Sequence, residues 1–355
     1  MNILINGVGG PTPRSIARTL RQFTNYKNLN LIGTDINPIA YGLYENDLYD
    51  KTYLIPSAKQ DGYWKALEKI IKNHKIDIAL VHPEHEVLAW SKRQTEKNDL
   101  PCKAYLPDNS LCEALVDKSK MTKLLKETDL VPKSFVFDAK TTDFTALENR
   151  LDYPFWIRAT AGSSGLGSLK VHSQEALKNW LNINPNVKIF IASTFLPGRN
   201  LAVKLLYHKG DLLRSASAER VNYIMSKVAP SGITGNTSFG RLLNEPELVE
   251  RATQAMDILF EKLNVKKHGF FTADFKEDES GKPYITEINV RMVAFNLSFA
   301  AAGANFTKDI VDLLMQNQNI NLDYKMYEFE PHTIFLRDVD AEPKLMKENE
   351  LLKQS

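Results

Sequence analysis

Cysteine is nearly absent: the 355 residues include two, Cys102 and Cys112. Neither has partners at metal-ligand spacing, which excludes a disulfide framework and a thiolate metal cluster, and a reducing cytoplasm is the expected setting. No apolar run approaches the roughly 20 residues that span a bilayer. Neither sign of charge dominates, since Lys+Arg 45 against Asp+Glu 43 leaves a formal net charge of +2. Composition therefore points to neither nucleic acid nor a membrane surface as a partner. The opening MNILINGVGG has no basic leader and is expected to be a first strand, not a signal peptide. Two nucleotide fingerprints are missing as well. GVGGPT lacks the G-x-G-x-x-G spacing of a dinucleotide site, and the Gly/Ser loop in the middle of the chain is not followed by GK[ST].

What remains is an ordinary globular composition, 43% hydrophobic and 25% charged, in a chain long enough for two or three packed units. In the first third, NILINGVGG, LNLIGTD (29–35), KTYLIP and IDIALVHP (76–83) read as strands. They alternate with PTPRSIARTLRQF, whose Ile16, Leu20 and Phe23 share an inner side, and with the helical YWKALEKIIKNH and EVLAWSKRQT. Successive βα units of this kind predict a parallel sheet ending near residue 115. Ligands of such sheets sit outside the carboxyl ends of the strands, so Gly9, Gly10 and Asp35 are candidate substrate contacts. His82, Glu84, His85 and Glu86 crowd one βα loop with no distant third metal ligand, and solvent-exposed capping of the next helix is expected of them.

A new unit is expected from residue 116. Asp117 and Lys118 begin a helix that stops before Pro132. YPFWIRATAGSSGLGSLKV (153–171) then predicts a strand ending in Arg158, a loop from Gly162 to Gly167, and a return strand. Glycines let backbone N–H groups approach oxygen atoms, and Ser163, Ser164 and Gly165 make this loop a candidate phosphate cover; a plain mobile hairpin is the alternative. Residues 186–220 read as three strands broken at Pro197-Gly198 and Lys209-Gly210. Thr194, Phe195 and Leu196 could offer backbone to an adenine edge, with Asn200 in reach of a ribose. VNYIMSKVAPSGITGNTSFGRLL has no regular period and reads as one long functional loop. Arg220, just before this loop, and Gly232 and Thr234 within it are candidate substrate contacts, Arg220 as a fork for a carboxylate; pairing of Arg220 with Glu219 or another surface acid is the alternative.

FFTADF and PYITEINV, joined by EDESGK, predict a β-hairpin. A register centred on Ser280 and Gly281, with a two-residue loop, sets Asp274 opposite Glu287. Asn289 and Arg291 then follow on the face of Glu287. Asp274, Glu287 and Asn289 are oxygen ligands suited to Mg²⁺, and Arg291 would face a transferring phosphoryl group. An ordinary surface hairpin with an edge salt bridge is the alternative. PELVERATQAMDILFEKLNV and NFTKDIVDLLMQN read as helices, EPHTIFLRDV as a closing strand, and KLMKENELLKQS as a terminal helix or frayed tail.

In this order the pieces resemble the ATP-grasp superfamily, and within it single-unit relatives of the carbamoyl-phosphate synthase large subunit. DKSKM, FWIRATAGSSGLGS and the E-x-N-x-R ending at Glu287, Asn289 and Arg291 carry the resemblance, over nearly the whole chain. It implies an N-terminal parallel α/β domain (1–115), a small lobe with a glycine lid (116–195), a large lobe with the metal hairpin (196–330), and a closing strand with a charged tail (331–355). It also implies that Lys118 and Arg158 contact ATP phosphates, that residues 162–167 close over them, that residues 194–196 bind adenine, and that Arg291 steadies the phosphoryl group. Two features depart from the family pattern. Glutamates common at the hinge are replaced by Thr194 and Asn200, and Val290 stands where proline is usual. The implied activity is an ATP- and Mg²⁺-dependent ligase, with Mn²⁺ as an admissible substitute, joining a small carboxylate to an amine through an acyl phosphate. Chemistry on bicarbonate and a nucleotide-binding module without turnover are the alternatives. A homodimer is compatible with the resemblance; nucleic acid and membrane partners are not expected.

Overall fold

Asn2–Asn6, Asn30–Asp35 and Ile78–Leu80 are short aliphatic runs buried along nearly their whole length, the pattern of parallel strands covered by helices on both faces. They form the centre of a parallel sheet in the order Lys51–Leu54, Asn30–Asp35, Asn2–Asn6, Ile78–Leu80, Lys103–Ala104. The last strand is two residues long, too short to show a period in the sequence. Helix Pro11–Gln22 starts with proline where an N–H would have no partner anyway, and it buries Ile16 and Leu20. Phe23, expected on the same inner side, is the C-cap residue and 39% exposed. The computed structural model describes residues 1–160, 165, 167–293, 295–339, 344–347 and 349.

Two antiparallel sheets follow. The smaller has the order Ser134–Asp138, Ile189–Thr194, Phe155–Ala159, Leu169–Val171, and packs Phe155, Ile157 and Phe190 against Leu177 and Leu181 of helix Gln174–Ile183. The larger runs Pro283–Asn289, Gly269–Glu277, Asn200–His208, Asp211–Tyr223, Thr237–Leu243, Thr333–Leu336, Lys344–Lys347. Lys325–Met326 pairs with it beside Asp211–Tyr223. Helix Pro246–Lys262 places Leu248, Ala252, Met256 and Leu259 on one buried stripe in the same hydrophobic core as Leu201, Val203 and Phe271 of the sheet. Each of the Leu and Met side chains contributes about 1.5 to 3 kcal/mol on leaving water, so this stripe fixes the back of the sheet that carries the hairpin.

Several expectations need correction. The segment after Arg220 is not one long loop: strand Asp211–Tyr223 continues past it and Thr237–Leu243 is another strand, which leaves 224–236 as the connection, with one short 3-10 turn at Ser226–Val228. The glycines and the lack of a period hide the strand ends, and cross-strand pairing supplies order that the local sequence does not signal. Lys344–Lys347, expected in a terminal helix, pairs with Thr333–Leu336. The HPEHE segment is not an exposed cap. Helix Glu84–Lys97 starts after Pro83 with no side-chain cap bond, His82 and Glu86 are buried, and only His85 is exposed.

Glu86 accepts hydrogen bonds from the Asn6 amide and the Tyr63 hydroxyl, and Trp90 Nε1 donates to that hydroxyl at 2.9 Å. Burial outweighs both donors and pushes the Glu86 carboxyl up to about 7. A carboxyl raised on folding favours the native state below its unfolded value near 4.5, and the contribution is lost as pH rises through about 7. Glu86→Gln keeps an acceptor oxygen for both donors and cannot ionise. Urea unfolding of this variant from pH 4.5 to 7.5 should lose less stability than the wild type, by on the order of 2 to 3 kcal/mol. Identical pH slopes would remove Glu86 as the cause.

Candidate active site

A cleft of about 1390 Å³ opens where the three sheets meet. The small sheet contributes Trp156, Arg158 and Lys170, the hairpin Asp274, Glu287 and Asn289, and the N-terminal domain Gly10, His82 and Glu84. On the hairpin, Asp274 lies directly opposite Glu287 and Thr272 opposite Asn289. The opposition arises differently from the expected two-residue loop. The paired strands end at Glu277 and Pro283, so 278–282 form the loop, and a bulge beyond Asp274 lets Thr286 take up the offset. The acids therefore face each other because two register changes cancel.

Each carboxylate is already held by a cation. Lys118 Nζ lies 3.3 Å from Glu287 Oε1, and Arg220 Nη2 lies 2.5 Å from Asp274 Oδ1. Asn289 Nδ2 donates to Asp274 Oδ2 at 3.4 Å. Lys118 owes its position to local sequence: Asp117 caps the helix by accepting from the Ser119 and Lys120 amides, and the Lys118 amide donates to Thr160 O at 3.0 Å. Arg158 reaches from the small sheet to donate to the Thr286 carbonyl. Arg291, just past the hairpin, pairs with Glu84 at 2.8 Å, tying the hairpin to the first turn of helix Glu84–Lys97. Glu219, the alternative partner of Arg220, pairs with Arg241 instead at 3.0 Å.

The two acids respond oppositely to burial. It pushes Asp274 up to about 6, with Arg220 opposing and the neighbouring Glu287 charge adding to the rise. Burial would also raise Glu287, but Lys118 and Arg158 outweigh it and hold this carboxyl below its usual value. Buried beneath them is Lys204, hydrogen-bonded to Asn296 and packed over the Phe295 and Phe299 rings; desolvation takes its amine well below the ordinary lysine value. His82 is neutral for a similar reason, burial first and Arg291 second.

Thr194, Phe195 and Leu196 link the small sheet to the large one and line the cleft, as does Asn200 at the start of the next strand. Lys170 Nζ sits 4.0 Å from the centre of the Phe195 ring. Gly165 and Gly232 line the cleft with φ of +75° and +70°, and Thr234 lines it with its hydroxyl donated to Ile224 O at 2.7 Å. A β-carbon on Gly165 would lie 2.6 Å from Ile233 O, so a loop of each lobe meets there. Gly162, Ser163 and Ser164 lie outside the described residues. Gly10 lines the cleft, whereas Gly9 is packed against Ala40 and donates to Asp35 Oδ2 at 2.7 Å. Asp35 also accepts from the Asn37 amide, so its carboxylate serves the turn and lies off the cleft.

Sequence reasoning missed Glu84 as the partner of Arg291 and Arg199 as the anchor of the hinge. Arg199 pairs with Glu277 at 2.6 Å and Glu245 at 2.8 Å. The first pairing joins residues 78 apart in sequence, and no local pattern announces it. Gly198 beside it has no room for a side chain, since a β-carbon would come within 2.6 Å of Glu277 Cβ. Gly198→Ala should cost about 1 to 3 kcal/mol of unfolding free energy by overpacking. Urea titration checks this, and a neutral result would show that the turn relaxes freely.

No protein-family model matches the chain, and no curated protein matches it in sequence. Solved structures do match in three dimensions. An L-amino acid ligase from Bacillus licheniformis superposes with a TM-score of 0.65 at 15% identity, over 94% of this chain and 78% of that one. The N5-carboxyaminoimidazole synthetase from Staphylococcus aureus complexed with ADP gives 0.68 at 13%, over 94% and 81%. The biotin carboxylase domain of Hydrogenobacter thermophilus 2-oxoglutarate carboxylase, in complex with MgADP, ADP and bicarbonate, gives 0.67 at 15%, over 95% and 74%. Parallel sheet, small antiparallel sheet and large antiparallel sheet with its hairpin follow one another in the order expected, and the chain has the ATP-grasp fold.

Proposed function

We propose that the protein is an ADP-forming ligase that phosphorylates a small carboxylate with ATP and couples the acyl phosphate to an amine. The observation that carries this reading is the convergence of Lys118, Arg158, Arg220 and Arg291 on the opposed pair Asp274 and Glu287 in one cleft. Its fold is shared with an L-amino acid ligase and with an N5-carboxyaminoimidazole synthetase complexed with ADP.

The donor set fits Mg²⁺: two carboxylates and an amide oxygen are hard ligands, and this ion usually keeps several waters and takes one or two carboxylates beside nucleotide phosphates. Among the described residues no group of three or more His, Cys, Asp or Glu forms a metal cage, which suits an ion shared with a substrate. When bound, the ion neutralises charge on the phosphates. Lys118 and Arg158 bind phosphate oxygens, and the backbone of residues 194–196 takes the base, with Asn200 at the ribose. Arg220 orients the carboxylate, whose oxygen bonds to the γ-phosphorus as the bond to ADP breaks. Arg291 stabilises the charge that develops on the phosphoryl oxygens. The amine nitrogen then attacks the acyl carbon, phosphate leaves, and the nitrogen gives up a proton. Gly165 and the facing 231–234 segment keep water from the acyl phosphate.

The same reading places the enzyme in a reducing cytoplasm, with Cys102 and Cys112 as free thiols. No helix among the described residues is long and apolar enough to cross a membrane. A homodimer is part of the proposal, and light scattering of the purified chain decides it.

Glu287→Gln should abolish ADP release in a screen over carboxylates and amines with Mg²⁺, while the circular dichroism spectrum stays that of the wild type; wild-type turnover would sink the assignment. Arg220→Ala should lower kcat/KM for the carboxylate by the equivalent of about 1.5 to 3 kcal/mol, the range for a charge-assisted hydrogen bond, with ATP binding kept. An equal loss of ATP affinity would move Arg220 to the nucleotide.

A further inference from the structure

We infer that Lys118 and Arg220 keep bare divalent cations off Asp274 and Glu287, so that metal enters this site only together with nucleotide. The inference rests on the ligase reading and adds a constraint to it: the two basic residues act as resident counter-ions of the metal carboxylates.

Three observations lead there. First, the oxygens that a metal would use are engaged. Glu287 Oε1 faces Lys118 Nζ at 3.3 Å, Asp274 Oδ1 faces Arg220 at 2.5 Å, and Asp274 Oδ2 accepts from the Asn289 amide at 3.4 Å. Secondly, the two cations have little solvent to screen them. The side chains of Lys118 and Arg220 are 8% and 9% exposed, so the pairs are not the loose surface contacts that an ion displaces at little cost.

Thirdly, the charge count opposes a lone metal ion. Lys118, Arg158, Arg220 and Arg291 carry four positive charges, and Asp274, Glu287 and Glu84 three negative ones. This cluster is thus positive by one, Lys170 and Lys276 on the same cleft wall and Arg337 near Arg220 add to the excess, and Lys204 lies buried behind. A divalent ion would raise the excess to three in a region of low polarity, where like charges repel most strongly. A nucleoside triphosphate brings about four negative charges and reverses the sign. Its phosphates also give Lys118 another partner, which releases Glu287 to the ion in the same event. Metal and nucleotide therefore each raise the other's affinity by one common factor, as linkage requires.

Electron paramagnetic resonance of Mn²⁺ titrated into the full-length protein tests this, with and without saturating ADP and against protein-free Mn²⁺ and ADP. In the wild type, ADP should tighten the protein-bound Mn²⁺ site by about 5 to 150-fold, the ordinary range of such couplings. The site should be missing from Glu287→Gln. Lys118→Met should bind bare Mn²⁺ about tenfold more tightly than the wild type even as its ADP affinity falls, a gain that mere structural damage does not produce. Arg220→Met, which frees Asp274, should likewise bind bare Mn²⁺ more tightly than the wild type, with its ADP affinity kept, and stands in if Lys118→Met fails to fold. Wild-type protein that binds bare Mn²⁺ as tightly as it does with ADP overturns the inference and leaves the ligase reading standing. A folded Lys118→Met or Arg220→Met with wild-type affinity for bare Mn²⁺ overturns it too. Absence of any ADP-dependent Mn²⁺ site in the wild type overturns the ligase reading, and the inference with it.

Discussion

Charge compensation around two opposed carboxylates is the constraint on which the site depends. Asp274 and Glu287 face each other on one hairpin, where mutual repulsion and burial both favour neutral acids. Their ionisation is supported from outside the hairpin: Lys118 arrives on a capped helix, Arg158 from the small sheet, Arg220 from the neighbouring part of the large sheet. Removing any one cation leaves a carboxylate underpaired in a poorly solvated place, the arrangement that costs most in a buried ion cluster. Electrostatics and packing therefore specify the same geometry.

The cluster also joins the units. Arg158 donates to the Thr286 carbonyl across the cleft, and Arg291 reaches Glu84 at the start of helix Glu84–Lys97, so the two antiparallel sheets and the N-terminal domain meet through polar contacts. The covalent link between the two antiparallel sheets is short, and Arg199 fixes its far end by pairing with Glu277 and Glu245. A cleft held in this way is rigid at its floor. Across its mouth, among the described residues, Gly165 of one loop meets Ile233 of another. That division suits a reaction in which the reacting groups must be fixed and the reactants must still enter.

Much of this was legible in the chain. The alternation of aliphatic runs with amphipathic stretches gave the parallel sheet, and the acids at 274 and 287 were paired correctly. The reason offered for that pairing was wrong: the loop is longer than two residues, and a bulge at Thr286 restores the register. The HPEHE loop was misread because sequence periodicity does not report burial by residues distant in the chain. His82 is covered where the hairpin and the parallel sheet meet, and Glu86 by Asn6 and Tyr63, distant in the chain. Gly9 and Asp35 were given to a ligand and in fact satisfy each other.

By itself the sequence determined what short-range physics can determine: which segments bury a face, where Asp117 starts a helix and so sets Lys118, and which side chains carry the charge for phosphate chemistry. Tertiary structure alone decided which charges meet. Lys118 and Glu287, Arg220 and Asp274, and Arg291 and Glu84 are distant in sequence, and no propensity or period couples them. An ion pair in a cleft exists only after packing has removed the water that would otherwise screen it. The choice of partner therefore belongs to the fold, and the kind of chemistry to the residues.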